Sequence, residues 1–156
     1  MHAPAGEKAS SRENPRRGKR LTIKKNMKKT KGSTRWAKKT QQKYLGIHLI
    51  AEFWGGKIIE NSRELERVLR LAAKKAGNTP LEFSFHKFNP HGMTGVLLLA
   101  ESHISFHSWP EHNYVALDIF TCGPKTFPEK ALEVLKKKIK PQRVKVRVIK
   151  RGKVNV

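Results

Sequence analysis

The stretch 97–122, LLLAESHISFHSWPEHNYVALDIFTC, concentrates side chains that can do chemistry. It carries a hydroxyl, imidazoles, a carboxylate and the only thiol of the chain, on Ser102, His103, His107, Glu111 and Cys122. Nucleophilic and acid–base catalysis use these groups. They interrupt strand-like hydrophobic segments, where a polar group costs free energy unless it is partnered. The stretch therefore predicts a chemical site built on strands.

The elements that would position this site follow from hydrophobic spacing and from end signals. The predicted strands are Tyr44–Trp54, 81–85, 94–100, 103–109, 114–121 and 144–148. One predicted helix begins at Asn61 or Ser62 and ends at Gly77, and another begins at Pro128 or Glu129. The order β-α-β-β-β-β-α-β predicts an α+β domain with one mostly antiparallel sheet and two helices on one face. Because the other face would be uncovered, we expect a dimer.

Charge is distributed unevenly along the 156 residues. The formal net charge is +22, but residues 1–44 carry +13, residues 136–156 carry +10, and the middle is close to neutral. Residues 1–43 hold too little apolar surface to offset their ordering entropy, so we predict a disordered basic tail before a domain over 44–156. Met27 offers an alternative start. No apolar run reaches the length of a membrane span and the N-terminus has no signal-peptide core. With a single cysteine, the composition predicts a cytoplasmic protein.

The same residues and the basic tail allow three other interpretations. His103 and His107 have a spacing that suits a helical zinc site, but in a strand they would be about 13 Å apart, which argues against a metal. Cys122 would end a strand rather than begin a helix, where a thiolate is favoured, so a Cys–His hydrolase is a weak alternative. The basic tail could bind nucleic acid through phosphates or be only a solvated segment.

Several motifs resemble the signature of prokaryotic S-adenosylmethionine decarboxylases, which depend on a pyruvoyl group. The resemblance rests on ESH at 101–103, on HSWPE at 107–111 and on DIFTCG at 118–123. It extends upstream through FHKFNPHGMTGV at 85–96 and LGIHLIAEF at 45–53. The match covers about residues 44–150 and leaves out the tail.

The resemblance implies a proenzyme that cuts itself between Glu101 and Ser102. Ser102 would attack the Glu101 carbonyl, and the resulting ester would eliminate to give a pyruvoyl group at Ser102. The products would be a β chain, 1–101, and an α chain, 102–156. His107 would be the proton acceptor in processing. The pyruvoyl group, with neither pyridoxal phosphate nor a metal, would then form a Schiff base with S-adenosylmethionine. Carbon dioxide would leave, with Cys122 as proton donor, to give the aminopropyl donor for spermidine.

The resemblance also assigns substrate contacts. Phe88 would stack on adenine and Glu111 would accept bonds from the ribose hydroxyls, with Trp109 and His86 near by. Glu52 would sense the positive charge of the substrate or be a salt-bridge partner. The family usually has a serine where this chain has Thr94, a position that acts in processing. Threonine keeps the hydroxyl but restricts χ1, so we expect processing to survive.

Geometry adds a prediction about assembly. In an extended strand His107 would lie roughly 16 Å from Ser102, so one chain could not bring the two together without a sharp bend. We therefore expect a homodimer with two composite active sites, each combining Ser102 and Cys122 of one protomer with His107, Thr94, Phe88 and Glu111 of the other. Two alternatives stay open, a pyruvoyl-dependent arginine decarboxylase and a nucleic-acid-binding protein on a degenerate enzyme core.

Overall fold

A computed structural model describes residues 44–154, and its elements follow the predicted order. The strands are β1 (Tyr44–Trp54), β2 (Pro80–Lys87), β3 (Met93–Leu99), β4 (Ser102–Trp109), β5 (Tyr114–Cys122) and β6 (Arg143–Lys153). The helices are α1 (Ser62–Lys75) and α2 (Pro128–Ile139), and a 3₁₀ turn, Pro110–His112, joins β4 to β5. The predicted basic tail, 1–43, lies outside the described residues.

The ends of both helices carry the signals seen in the sequence. Asn61 caps α1, with its side chain accepting a hydrogen bond of 3.0 Å from the Glu64 amide. Gly77, at φ +78, provides the left-handed residue just after that helix. Pro128 occupies the first turn of α2, where a missing amide hydrogen costs nothing. Sequence-local chemistry therefore determines where both helices begin and where α1 ends.

One six-stranded antiparallel sheet forms the centre of the domain, in the spatial order β2-β3-β4-β5-β1-β6. Both helices pack on one face of it, as predicted, and alternate strand residues complete a single core with them. The fully buried large side chains on this face include Phe53, Leu65, Phe106, Leu117 and Leu135. Burying them removes apolar surface from water, which is the main force that holds the helices on the sheet.

The opposite face of the sheet carries several of the predicted site residues and is not covered by any described element. His48, His103, His107 and Asp118 lie there among apolar residues such as Leu98, which is 48% exposed. A polar and apolar mixture of this kind suits an interface between copies of the chain. The dimer stays a prediction, developed below.

The predicted strand limits were short at several ends. β4 begins one residue earlier than predicted, at Ser102, and β5 continues to Cys122, because the backbone of β5 still pairs with that of β1 there. β6 runs on to Lys153 because it pairs with β1 along almost its whole length. Phe85, in the edge strand β2, is 49% exposed although it alternates like a buried residue. Among residues 44–154 no helix is long and apolar enough to cross a membrane.

Candidate active site

The peptide bond between Glu101 and Ser102 lies in the tight turn that joins β3 to β4. The Glu101 carboxylate is held by Thr79, whose backbone amide donates a hydrogen bond of 2.8 Å and whose hydroxyl donates one of 3.1 Å. The Thr79 carbonyl in turn accepts a hydrogen bond of 3.0 Å from the Ala100 amide. Thr79 therefore fastens the turn through both Ala100 and Glu101.

Ser102 has a backbone conformation that is rare for a residue with a side chain. Its φ is +148°, in a region that only glycine occupies freely. Strain of this kind costs on the order of 1–3 kcal/mol and persists where the surrounding structure imposes it. Cleavage of the peptide bond between Glu101 and Ser102 would release this strain.

The carbonyl of Glu101 accepts a hydrogen bond from the Cys122 backbone amide, at 3.0 Å. A donor placed on a carbonyl stabilises the negative charge that develops on its oxygen during attack. The Cys122 side chain is partly exposed, and Gly46 lies opposite it on β1. A Cβ atom on Gly46 would be 2.9 Å from the Cys122 Sγ, so glycine is needed there to make room for the thiol.

Ser102 also has an imidazole beside it. Its Oγ lies 3.1 Å from Nδ1 of His103, the next residue along the chain. The His103 ring packs edge-on against Phe120 and His48, with centroid distances of 5.9 and 6.4 Å. Burial, and then the neighbouring His48, lower the pKa of His103 below its ordinary value, so the ring is neutral near pH 7.

A polar network supports this end of the sheet. His48 Nε2 lies 3.1 Å from Asp118 Oδ1, and the Ser105 hydroxyl donates a hydrogen bond of 3.0 Å to the other oxygen of that carboxylate. The three residues stand on β1, β5 and β4, the strands that meet around His103. They restrict how the His48 ring, and through it the His103 ring, can move.

A second cluster lies at the far end of β4. The Thr94 hydroxyl is 2.7 Å from Nδ1 of His107, directly across the β3–β4 pairing. Beside this pair is a cavity of about 270 Å³. Its lining includes three of the side chains predicted to lie around the substrate, Phe88, Trp109 and Glu111, together with His107, but not His86.

Charge and aromatic surface in this cavity suit a nucleoside. The Phe88 ring is 50% exposed and free to stack, and the His86 ring meets it edge-on at 4.8 Å. The Glu111 carboxylate is exposed and lies 3.4 Å from His91. An open aromatic face next to a carboxylate offers one surface for a planar base and one acceptor for hydroxyl groups.

The predicted site residues do not all come together at this cavity. Glu52 does not line the cavity. Its carboxylate lies 3.7 Å from Lys145, which matches the second role predicted for it, that of a salt-bridge partner. Ser102 and His107 stand at opposite ends of the continuous strand β4, so the sharp bend that could bring them together is not present. One chain thus presents two separate clusters.

The described residues contain no group of three or more histidine, cysteine or carboxylate side chains arranged to hold a metal ion.

Sequence reasoning missed the supporting residues Thr79, His48 and Asp118. His48 and Asp118 are polar residues in otherwise apolar strands, which was the available signal. Their contact depends on the β1–β5 register, which no local pattern states. Thr79 lies 22 residues before Glu101 and had no signal of its own.

Comparison with known proteins identifies a family for this chain. The family model for S-adenosylmethionine decarboxylase matches residues 47–152. This chain therefore belongs to the S-adenosylmethionine decarboxylase family.

Its curated relatives include proenzymes from bacteria and archaea. The S-adenosylmethionine decarboxylase proenzyme of Persephonella marina is 45% identical over 117 residues, which cover 74% of this chain and 88% of the relative. The proenzyme of Methanococcus vannielii is 44% identical over 116 residues, covering 73% and 95%. Among solved structures, the crystal structure of the adenosylmethionine decarboxylase from Aquifex aeolicus contains a chain that is 37% identical in sequence to this one. It superimposes with a TM-score of 0.66, over 72% of this chain and 95% of that one.

Proposed function

We propose that this chain is an S-adenosylmethionine decarboxylase, a carboxy-lyase, that is made as a proenzyme and cleaves itself between Glu101 and Ser102. The observation that carries the proposal is the arrangement at this bond. Ser102, whose backbone is strained, directly follows a carbonyl that already accepts a hydrogen bond from the Cys122 amide. Family membership supports the same reading.

Processing begins as Ser102 Oγ attacks the carbonyl carbon of Glu101 and replaces the peptide bond with an ester. Loss of the Ser102 Cα proton then expels the Glu101 carboxylate and leaves dehydroalanine. Water converts this to a pyruvoyl group and ammonia. His107 is suited to the second step because the Thr94 hydroxyl, 2.7 Å from Nδ1, fixes the orientation of its ring.

The residues at 101 and 102 fit the formation of such a group, since a hydroxyl, a polarised carbonyl and a strained backbone lie together. A pyruvoyl group supplies an electron sink for decarboxylation, which protein side chains lack. The chain supplies the rest. Phe88 would stack on the adenine, Glu111 would accept hydrogen bonds from the ribose, and the Cys122 thiol would return a proton to the substrate α-carbon.

Both clusters are needed for one reaction, yet they lie at opposite ends of β4. A two-fold axis on the uncovered sheet face would place the Ser102 and Cys122 cluster of one protomer against the His107 cluster of the other. Such an interface is self-complementary and gives two identical composite sites. The open face, with its partly exposed Val96 and Leu98, supports this arrangement.

Self-cleavage is tested by intact mass. The unprocessed chain has a mass of 17.8 kDa, and we expect two fragments that split between Glu101 and Ser102, with a pyruvoyl-capped second fragment. The variant Ser102→Ala should stay whole, and a wild-type chain that also stays whole would overturn the proposal. Carbon dioxide release from S-adenosylmethionine rather than from arginine then identifies the substrate.

The composite site has its own test. Neither Ser102→Ala nor His107→Ala should complete processing alone. When the two chains are unfolded together and refolded as a mixture, half of the dimers would be mixed. Each mixed dimer would hold one site with both Ser102 and His107 intact. Fragments should then appear only in the mixture, and a mixture that stays whole would refute shared sites.

A further inference from the structure

The first step of processing needs a base that removes the proton from the Ser102 hydroxyl, and the structure offers one in the same chain. We propose that His103 is this base and that His107 acts only in the later elimination, an inference that rests on the proposed function. The two histidines would then divide the proton transfers of processing between the two protomers. His103 takes the first transfer within its own chain.

Distance supports the assignment. His103 Nδ1 lies 3.1 Å from Ser102 Oγ, within the reach of a direct proton transfer. No other described titratable side chain is in hydrogen-bond contact with Ser102 Oγ. His107 of the same chain lies five residues further along an extended strand, about 16 Å away.

The surroundings of His103 keep its ring in place and unprotonated. His48, held by Asp118, meets the His103 ring edge-on, and Phe120 packs against it. Burial and His48 lower the pKa of His103, while Asp118 opposes this effect and Arg151 adds to it. A neutral ring with its hydrogen on Nε2 has a lone pair on Nδ1 to accept the proton.

Atoms and charge balance without an outside reactant. The Oγ proton moves to His103 Nδ1 as the bond from Oγ to the Glu101 carbonyl carbon forms. The Cys122 amide stabilises the negative carbonyl oxygen. When the bond between that carbon and the Ser102 nitrogen breaks, the imidazolium returns the proton to the leaving nitrogen. The ester and a free amine result, and His103 is neutral again.

The test asks which species each variant accumulates. In His107→Ala the ester should build up, and hydroxylamine, which attacks esters but spares amides, should split the chain between residues 101 and 102. In His103→Gln the amide form should build up instead, with cleavage slowed about 100-fold and little hydroxylamine-sensitive material. The double variant should resemble His103→Gln. The exposed His112→Ala is the matched control and should cleave as the wild type does.

Two results would overturn the proposal while leaving the proposed function intact. One is cleavage of His103→Gln at the wild-type rate, and the other is accumulation of the ester in that variant, which would place His103 after the acyl shift. A merely structural role would slow both steps and would not select the amide form. Failure of the wild type to cleave at all would instead count against the proposed function.

A second measurement decides the matter if His103→Gln fails to fold. Ester formation in His107→Ala is followed against pH with hydroxylamine. Because the pKa of His103 is lowered, the rate should stay level through neutrality and fall only below about pH 6.5. Imidazole added to His103→Ala should restore part of the rate. A profile that stays flat down to the pH at which the domain unfolds would overturn the proposal.

Discussion

Replacing Gly46 with alanine should test whether space beside Cys122 matters for the site. The new Cβ would lie 2.8 Å from the Phe120 ring and 2.9 Å from the Cys122 Sγ. Carbon contacts prefer about 3.5–4.0 Å, so the side chains or the strands must move by several tenths of an ångström. Overpacking of this kind costs about 1–3 kcal/mol. The lower entropy of the unfolded alanine chain offsets about 0.4–1 kcal/mol of that.

A net loss of about 1–2 kcal/mol in the free energy of unfolding corresponds to a fall in Tm of about 4–8 °C for a domain of this size. The displacement should also reach the thiol, which a chromogenic thiol reagent reports directly because Cys122 is the only cysteine of the chain. We expect Gly46→Ala to change the rate of that reaction and to lower kcat.

Gly95→Ala is the matched control. Gly95 is another strand glycine, but its Cβ would meet Phe83 and Leu65 on the helix-covered face, at 3.1–3.2 Å. It should cost some stability while leaving the reactivity of Cys122 unchanged. Gly46→Ala with a wild-type Tm and wild-type thiol reactivity would show that the space around Cys122 is not limiting.

Three further predictions test other contacts. Thr94→Val removes the hydroxyl that orients His107, so the ester should accumulate and completion of processing should slow about tenfold. Thr94→Ser should process normally, and equal rates for the two variants would show that the hydroxyl does not orient His107. Glu111→Gln weakens charge-assisted hydrogen bonds, so KM for S-adenosylmethionine should rise about 10–100-fold with self-cleavage intact, and an unchanged KM would exclude a ribose contact. Asn61→Ala loses the cap of α1 and should lower the free energy of unfolding by about 1 kcal/mol, measured by thermal denaturation. Asn61→Ser should stay close to wild type, and a wild-type Tm for the alanine variant would contradict the capping role.

Much of the fold could be predicted because its signals are local. The Asn61 cap, the Pro128 start and the alternation in β1 each depend on a few neighbouring residues. The antiparallel order followed from the short connections between β3, β4 and β5, which leave no room for a crossover. The edge strand β2 was read less well, since alternation alone does not reveal how much of a strand its neighbours cover.

For the site, the sequence by itself determined which side chains are available for the chemistry, and it predicts that Ser102 and His107 are too far apart in an extended strand to meet. Only the tertiary structure decided their surroundings. The Cys122 amide reaches the Glu101 carbonyl, and His48 reaches Asp118, through strand pairings that join residues 21 and 70 positions apart. Such contacts depend on register and sheet order, which arise from packing the whole core rather than from any local pattern.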